Sequence, residues 1–512
     1  MVGKTDYRIL FIYSFMEEIQ QEKHSYRQSF NATFIFGGLQ VFTILIGLIR
    51  NKFVAVLLGP AGSGFMGLLN NNLGFITFLT GLGVGFSAVR DISIANETGD
   101  QIKLSATLKT FRRWAWFTGL LGMITVIVLS PWLSLWSFGH KNYTWAYLLI
   151  SITLLIGAVS SGQQTVLRGL RKVKDLAKAG IWGLILGLVT SVPLYYLYGI
   201  DGIVPATIIS SFTGLFISWY YIRKVKTVPV QLSYKESYVQ GKEMVKLGIL
   251  LTLHHLIGSG VTNFVNIFIS HTGGISQVGL YNAGWNITNQ YVSLVFTSMI
   301  MDFYPRLAGV HTDNVKIKKL VSEQAEIAVL IVAPIMLFFL ISLPVLVRLI
   351  YTKEYLSIIP FTQWMVIGML FKAASWTMGN IALVKGDTKF YFWFESILGN
   401  IILLITCIGG YYFFGLQGMG IAFLINNVLY FFAIIFMCRK RYNVTFTRTF
   451  IKILIIQQLF CLIAFLFVYI LENITGYVIG GILLIISALY SYKELNERID
   501  IKEFLLSKIR RR

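Results

Sequence analysis

IWGLILGLVTSVPLYYLYGIDGIVPATIISSFTGLFISWYYIRK, residues 181–224, and ILGNIILLITCIGGYYFFGLQGMGIAFLINNVLYFFAIIFMCRK, residues 397–440, are two copies of one segment. At an offset of 216 they share 14 identities in 44 positions without a gap. Gly183, Ile185, Leu188 and Thr190 match Gly399, Ile401, Leu404 and Thr406, and Tyr195-Tyr196 matches Tyr411-Tyr412. Gly199, Gly202 and Ala206 match Gly415, Gly418 and Ala422, and Arg223-Lys224 matches Arg439-Lys440. Shared apolar composition would not align glycines and a charged pair. Weaker echoes place Gly64 near Gly279, and Arg168-Gly169 near Lys385-Gly386 at an offset of 217.

Working outward, the whole chain divides into apolar stretches. Its hydrophobic fraction is 55% against 13% charged residues, with a mean hydropathy of +0.68. A helix crossing a bilayer needs ~20 mostly apolar residues, because hydrocarbon offers the backbone no hydrogen-bond partner. Fourteen such spans are expected, near 30–57, 62–90, 111–136, 145–169, 176–199, 201–224, 243–271, 277–304, 321–350, 356–384, 389–414, 416–439, 449–471 and 474–491. The fold class is therefore all-α, a polytopic membrane protein. Six spans per repeat is an even number, so both copies enter the membrane in the same direction. Parallel repeats are related by an axis along the membrane normal, with a substrate path between the halves. This predicts an N-lobe over 29–226, a linker at 227–242, a C-lobe over 243–441, and two extra helices with a basic tail over 442–512. Residues 1–28 read as a cytoplasmic segment without a cleavable signal peptide.

Of the 44 Lys and Arg residues, 38 fall on one side of these spans, leaving Arg50, Lys52, Lys141, Arg348, Lys353 and Lys372. By the positive-inside rule both termini are expected to be cytoplasmic. The net charge of +21 is thereby accounted for without nucleic acid. It is dispersed in short loop runs that meet anionic headgroups, whereas a nucleic-acid stripe gathers on a soluble domain. Cys407, Cys438 and Cys461 sit in or beside apolar spans and imply no disulfide framework. No phosphate loop, metal-ligand cluster or nucleophile–base motif is present, so no cofactor and no ATP hydrolysis are expected. The short outer loops leave no room for an extracytoplasmic catalytic domain.

Polar groups at membrane depth are the candidate site. Lys372 lies 12 residues after Pro360 and 13 before Lys385, ~18–20 Å from either end of its helix. A cation there costs at least ~2.5–3.5 kcal/mol on insertion scales, so it faces a wet cavity or a partner such as Glu395. Arg50 and Lys52 precede the outer end of span 1, Arg50 roughly 12 Å below it, with snorkelling to the headgroups as the alternative. Polar residues at intervals of three and four share one helix face. Span 4 offers Ser160, Gln164 and Arg168, and span 7 His255, Ser259, Thr262 or Asn263, Asn266 and Ser270. Span 8 offers Asn282, Asn286, Asn289 and Ser293. Amides that donate and accept suit sugar hydroxyls, and the competing explanation is interhelical bonding. His254 and His255 fit a local structural role better than a proton shuttle. Asp302 and Arg306, one turn apart, are expected to pair at the inner end of span 8.

The stretch Ile49-Arg50-Asn51-Lys52, then Leu57-Leu58-Gly59-Pro60 and Gly64-Phe65-Met66-Gly67-Leu68, resembles the opening of bacterial Wzx-type polysaccharide flippases. These belong to the multidrug/oligosaccharidyl-lipid/polysaccharide exporter superfamily. Arg168-Gly169-Leu170, Tyr198-Gly199-Ile200-Asp201-Gly202 and Phe414-Gly415-Leu416-Gln417-Gly418 also fit, and the resemblance extends over roughly 30–491. It implies a V-shaped, two-lobed transporter moving undecaprenyl-pyrophosphate-linked oligosaccharide, usually an O-antigen unit, to the outer leaflet. It implies a cationic cavity, with Arg50 at the position where related lipid II flippases carry an arginine. Membrane lipids, a polysaccharide polymerase and a chain-length regulator are the partners it implies. Lys372 has no family motif beneath it. The rival within the fold is a multidrug exporter, which places acids in span 1 or 7; no Asp or Glu lies at depth in either here. The rival of another class is a membrane enzyme acting on lipid-linked glycans.

Overall fold

The computed structural model describes the backbone of residues 5–471 and 473–499. It describes the side chains of 42–497 except 247, 250, 251, 290, 291, 294, 298, 301, 302 and 472. The side chains of residues 1–28 and of Asp302 thus lie outside the described residues, and with Asp302 the expected pairing to Arg306. The N-lobe comprises α1 (Thr5–Gly81), α2 (Val84–Glu97), α3 (Gln101–Phe138), α4 (Thr144–Ile150), α5 (Ile152–Gly169), α6 (Val173–Tyr198) and α7 (Ile203–Ile222). The C-lobe comprises α8 (Tyr234–Gly273), α9 (Ile275–Gly309), α10 (Asn314–Ile350), α11 (Ile359–Val384) and α12 (Gly399–Tyr442). A short helix and a wide π turn, Tyr391–Leu398, lead into α12. The chain closes with α13 (Arg448–Leu471) and α14 (Ile474–Ile499).

Nine helical stretches among the described residues are long and apolar enough to cross a membrane. Three of them, Phe42–Gly81, Val173–Ile222 and Thr388–Tyr442, each hold two crossings around a turn. The helices α8 and α9 span 40 and 35 residues but carry the Asn, His and Thr stripes, which lowers their apolarity. With them the described residues hold fourteen crossings. The face carrying the basic loops is called here the basic face, the opposite one the far face.

The duplication is written in the backbone. Gly199 has φ 55°, ψ −131°, and Gly415, its partner at offset 216, has φ 58°, ψ −142°. Positive φ is cheap only for glycine, which is why the turns keep it. Gly59 (φ 64°, ψ −170°) and Gly274 (φ 86°, ψ 169°) form a second pair, at offset 215. The end of α5 and the end of α11 are also equivalent. Lys172 N–H donates to Leu167 O as Asp387 N–H does to Ala382 O, with Arg171 and Gly386 at positive φ. This is the helix-ending Schellman arrangement, and its register is 215. The offset of 217 for Arg168-Gly169 is thereby corrected: Arg171 corresponds to Gly386, because backbone geometry, not side-chain charge, is what the copies share here.

Each lobe has a core in two storeys. In the N-lobe, Phe65, Tyr147 and Tyr195 are buried toward the far face and Phe111, Leu108 and Ile92 toward the basic face. The C-lobe core repeats the division, with Met336, Tyr355 and Met365 above and Phe303, Phe394 and Phe450 below. The far-side C-lobe core takes in Ala55 and Leu68 of α1, so the lobes share apolar packing there. The added pair α13–α14 is fastened to the C-lobe: Cys461, Ala464 and Phe465 join its core, and Gln458 Nε2 donates to Ile367 O at 3.3 Å.

The stretch between lobes is shorter than 227–242. Ser233 Oγ accepts from Glu236 N at 3.1 Å while Glu236 Oε2 accepts from Ser233 N at 2.7 Å. This capping box starts α8 at Tyr234. Residues 225–232 form a non-helical strap pinned to α3. Lys109 Nζ donates to Val230 O at 2.7 Å, and Arg113 donates to Leu232 O, Ser233 O and Ser237 Oγ at 2.6–3.0 Å.

Candidate functional site: a lysine and an asparagine ladder between the lobes

The far-face junction between lobes is a contact of backbone on backbone. A Cβ on Gly64 would lie 1.9 Å from Ile275 O, and one on Gly279 would lie 2.0 Å from Pro60 O. Pro60 and Gly64 correspond to Ile275 and Gly279 at offset 215, so each copy makes the same contact with the other. A self-complementary contact of this kind sits on a two-fold axis. The pseudo-axis therefore passes between Gly64 and Gly279, along the membrane normal.

From that junction α9 carries a polar ladder away from the far face. Asn282 abuts Gly67, whose added Cβ would lie 2.5 Å from Asn282 Nδ2, so this face of α9 looks at the N-lobe. Asn286 and Asn289, four and seven residues on, share that face. Asn286 is exposed. Asn289 Oδ1 accepts from Lys372 Nζ at 2.9 Å, and Asn289 Nδ2 donates to Trp285 O at 3.2 Å. The ammonium stands 5.7 Å from the Phe423 ring, itself edge-on to Trp285. Lys372 is half-buried at the middle of α11 and has no carboxylate partner among the described residues. Glu395, the partner considered for it, instead accepts from Tyr430 Oη. An ammonium carries three N–H donors, and one is used. The remaining two can serve an anion, and the neighbouring amides can serve hydroxyls.

A model of the family described as polysaccharide biosynthesis protein matches residues 53–360. The chain belongs to that family. The match covers the spans from the far half of α1 through α10, and it stops short of Arg50, Lys52 and Lys372. The lipid III flippase of Escherichia coli (strain K12) is 18% identical over 348 residues, 67% of this chain and 82% of its own length. An inward-facing multidrug resistance MATE family transporter of the MOP superfamily superposes with a TM-score of 0.64 at 17% identity, covering 78% of this chain and 94% of that one. The lipid II flippase MurJ in an inward closed conformation gives 0.60 at 15%, covering 90% and 98%. The protein is thus a multi-pass membrane member of that family, with a fold similar to those of these two transporters.

The other candidate residues of this family member are dispersed. Lys52 is part of the far-face junction: its Nζ donates to Arg348 O at 3.0 Å and Tyr351 O at 2.6 Å. Its charge is thus held by C-lobe carbonyls, and Ser63 with Tyr355 adds a 2.6 Å bond beside it. Arg50, two residues earlier, is half-buried and bonds no described residue. His255 also lies between the lobes, its ring stacked 6.0 Å from both Phe78 and Phe86 of the N-lobe. His254 bonds Ser396 Oγ at 3.0 Å inside the C-lobe, a structural role. Asn266 is fully buried, its Nδ2 turned back to Thr262 O at 2.8 Å. Gln164 is half-buried on α5, and Arg168 is exposed in the last turn of that helix, at the basic face. Sequence reasoning placed Asn289 on the stripe without singling it out. It missed the strap clasp of Lys109 and Arg113, since both acceptors are backbone carbonyls more than a hundred residues away.

Proposed function

We propose that the protein is a flippase for undecaprenyl-pyrophosphate-linked oligosaccharide, the repeat unit of an O-antigen or another surface polysaccharide. In this reading the basic face and both termini are cytoplasmic, the membrane is the bacterial cytoplasmic membrane, and cargo leaves at the far face. The observation that carries the proposal is Lys372, mid-helix, paired with an amide instead of a carboxylate and adjoining a ladder of asparagines. A cation with unspent donors at that depth stabilises a desolvated pyrophosphate by charge-assisted bonds. Asn286 and Asn289 stand where sugar hydroxyls would follow, and Arg50 supplies a second cation from the N-lobe. The far face is shut by the glycine junction and the Lys52 clasp, and the basic face is fastened at Gly83 and Gly248. In this reading the cargo enters when the basic-face fastenings part and the lobes rock about the pseudo-axis. A polysaccharide polymerase with its chain-length regulator would consume the unit on the outer side. Two negative charges leaving a cell interior gain ~2.3 kcal/mol each per 100 mV of membrane potential, a drive that needs no ATP.

The test is surface glycan in cells whose own copy is replaced by Lys372→Ala, at matched membrane abundance. Removing a charged hydrogen-bonding partner is worth ~1.5–3 kcal/mol, so surface glycan is expected to fall roughly 10–100-fold. Lys440→Ala, exposed on the basic face, should leave it unchanged. Wild-type glycan in the Lys372→Ala strain would return that lysine to a purely structural role.

A further inference from the structure

We propose that the groove between α3, the strap and the start of α8 is a binding site for an anionic phospholipid of the leaflet on the basic face. The groove has a volume of about 1170 Å³, and no Asp or Glu is among its lining residues. Its rim carries Lys109, Arg112, Arg113 and Lys242. Lys109 and Arg113 are committed to strap carbonyls and hold that wall in place. Arg112 and Lys242 are exposed, and neither bonds a described residue. Both line the groove, one from each lobe.

The chemistry changes with depth along α3. At a rise of 1.5 Å per residue, Trp116 lies ~6 Å and Leu120 ~12 Å deeper than Arg112. Trp116 is 52% exposed, Phe117 53% and Leu120 39%, so the wall below the charges is open and apolar. Cations at the rim, aromatic rings one turn in and aliphatic surface beyond are the order met along a phospholipid, from phosphate through glycerol to acyl chain. A second groove shares Arg112 and Trp116 and adds Arg223 and Gln163. There the buried Gln163 Oε1 has no hydrogen-bond partner among the described residues, and a headgroup hydroxyl would supply one. A lipid seated against Arg112 contacts both lobes, so the anionic content of that leaflet is coupled to how the lobes close on the basic face. This inference does not depend on what the transporter carries.

The test is native mass spectrometry of the purified full chain given equal amounts of phosphatidylglycerol and phosphatidylcholine. Phosphatidylglycerol should be retained preferentially, and Arg112→Glu with Lys242→Glu should reduce its retention roughly 10-fold or more. Reversing Arg439 and Lys440, exposed on the same face away from the groove, should leave retention unchanged. Trp116→Ala, which keeps every charge, should weaken retention of both lipids and provides the readout if the charge reversal fails to fold. Equal retention of the two lipids by the wild type would overturn the proposal. So would equal losses in the two charge-reversed variants, or stoichiometric displacement of phosphatidylglycerol by a polyprenyl pyrophosphate, which would make the groove a cargo site.

Discussion

The two faces of the protein join the same lobes by different means. At the far face, Gly64 and Gly279 bring backbone against backbone, and each copy of the repeat makes the contact the other makes. At the basic face, Gly83 meets Gly248 closely, but the fastening around it is side chain to strap: Arg113, Lys109 and Trp114 hold residues 230–237. A counterpart follows the second copy, where Thr447 N–H donates to Ser322 Oγ of α10 at 3.0 Å as Val228 N–H does to Ser105 Oγ of α3 at 3.0 Å. Among the described residues, however, the Lys109 and Arg113 bonds belong only to the strap that joins the lobes. A duplicated contact is constrained twice by one geometry and yields to neither partner. A clasp of charged hydrogen bonds can be made and broken without moving a helix backbone. The far junction therefore acts as a seat on the pseudo-axis made by both copies, while the basic face adds to its Gly83–Gly248 contact a set of adjustable side-chain fastenings.

The strongest way to break this contrast is to fill the far seat. Gly64→Val places branched carbons where a single Cβ already falls 1.9 Å from Ile275 O. Backbone cannot step aside as a flexible side chain can, so the cost exceeds the ~1–3 kcal/mol of ordinary overpacking. Surface glycan should drop to background, and cysteine probes beside residue 63 should become reactive from the far side. Retained transport would mean that the seat opens in every cycle and is a gate.

A smaller effect sharpens the other half of the comparison. Arg113→Ala removes three hydrogen bonds to the strap and α8, and a guanidinium 4.2 Å from the Tyr234 ring. Charged hydrogen bonds of this kind are worth ~1.5–3 kcal/mol each at most, less where water competes. Tryptic cleavage at Lys226 should accelerate roughly 10-fold or more, because cleavage follows the open population of the strap. Overall unfolding should shift little, since both lobe cores stay intact. Unchanged cleavage would show that apolar packing, and not the clasp, fixes the strap.

How much of this was legible in the sequence follows the same division. The fourteen crossings and the pairing of Gly199 with Gly415 could be read, because apolarity and glycine at positive φ leave local signatures. Lys372 could be read from its depth, and Asn289 from its stripe. Even the true start of α8 was there as Ser233-x-x-Glu236, a capping box hidden inside a stretch that looked like linker. What could not be read were contacts whose acceptors are backbone carbonyls. Lys52 reads from its depth as a cavity cation or a snorkelling one, yet its partners are Arg348 O and Tyr351 O, nearly three hundred residues on. Carbonyl positions depend on where helices end, and residue identity says little about that.

The smallest effect tests the repeat itself at the paired helix ends. Arg171 and Gly386 occupy the same left-handed position, φ 54° and 69°, in equivalent Schellman turns. Around Gly386 an added Cβ meets nothing within 4 Å, so Gly386→Ala isolates the backbone term. A non-glycine residue there costs ~1 kcal/mol. Arg171 already bears that cost in the other copy, partly offset by its bond to Glu97 at 2.8 Å. Both of those side chains are largely exposed, so the ion pair returns ~0–1 kcal/mol. Gly386→Ala should therefore lower the thermal midpoint by about 1–2 °C in a chain of this size. Arg171→Gly should leave it level or raise it by less than that, as strain relief and lost ion pairing nearly cancel. If Gly386→Ala proves neutral while Arg171→Gly destabilises by several degrees, the two turns are not equivalent, and the 215-residue register must be abandoned at this point of the fold.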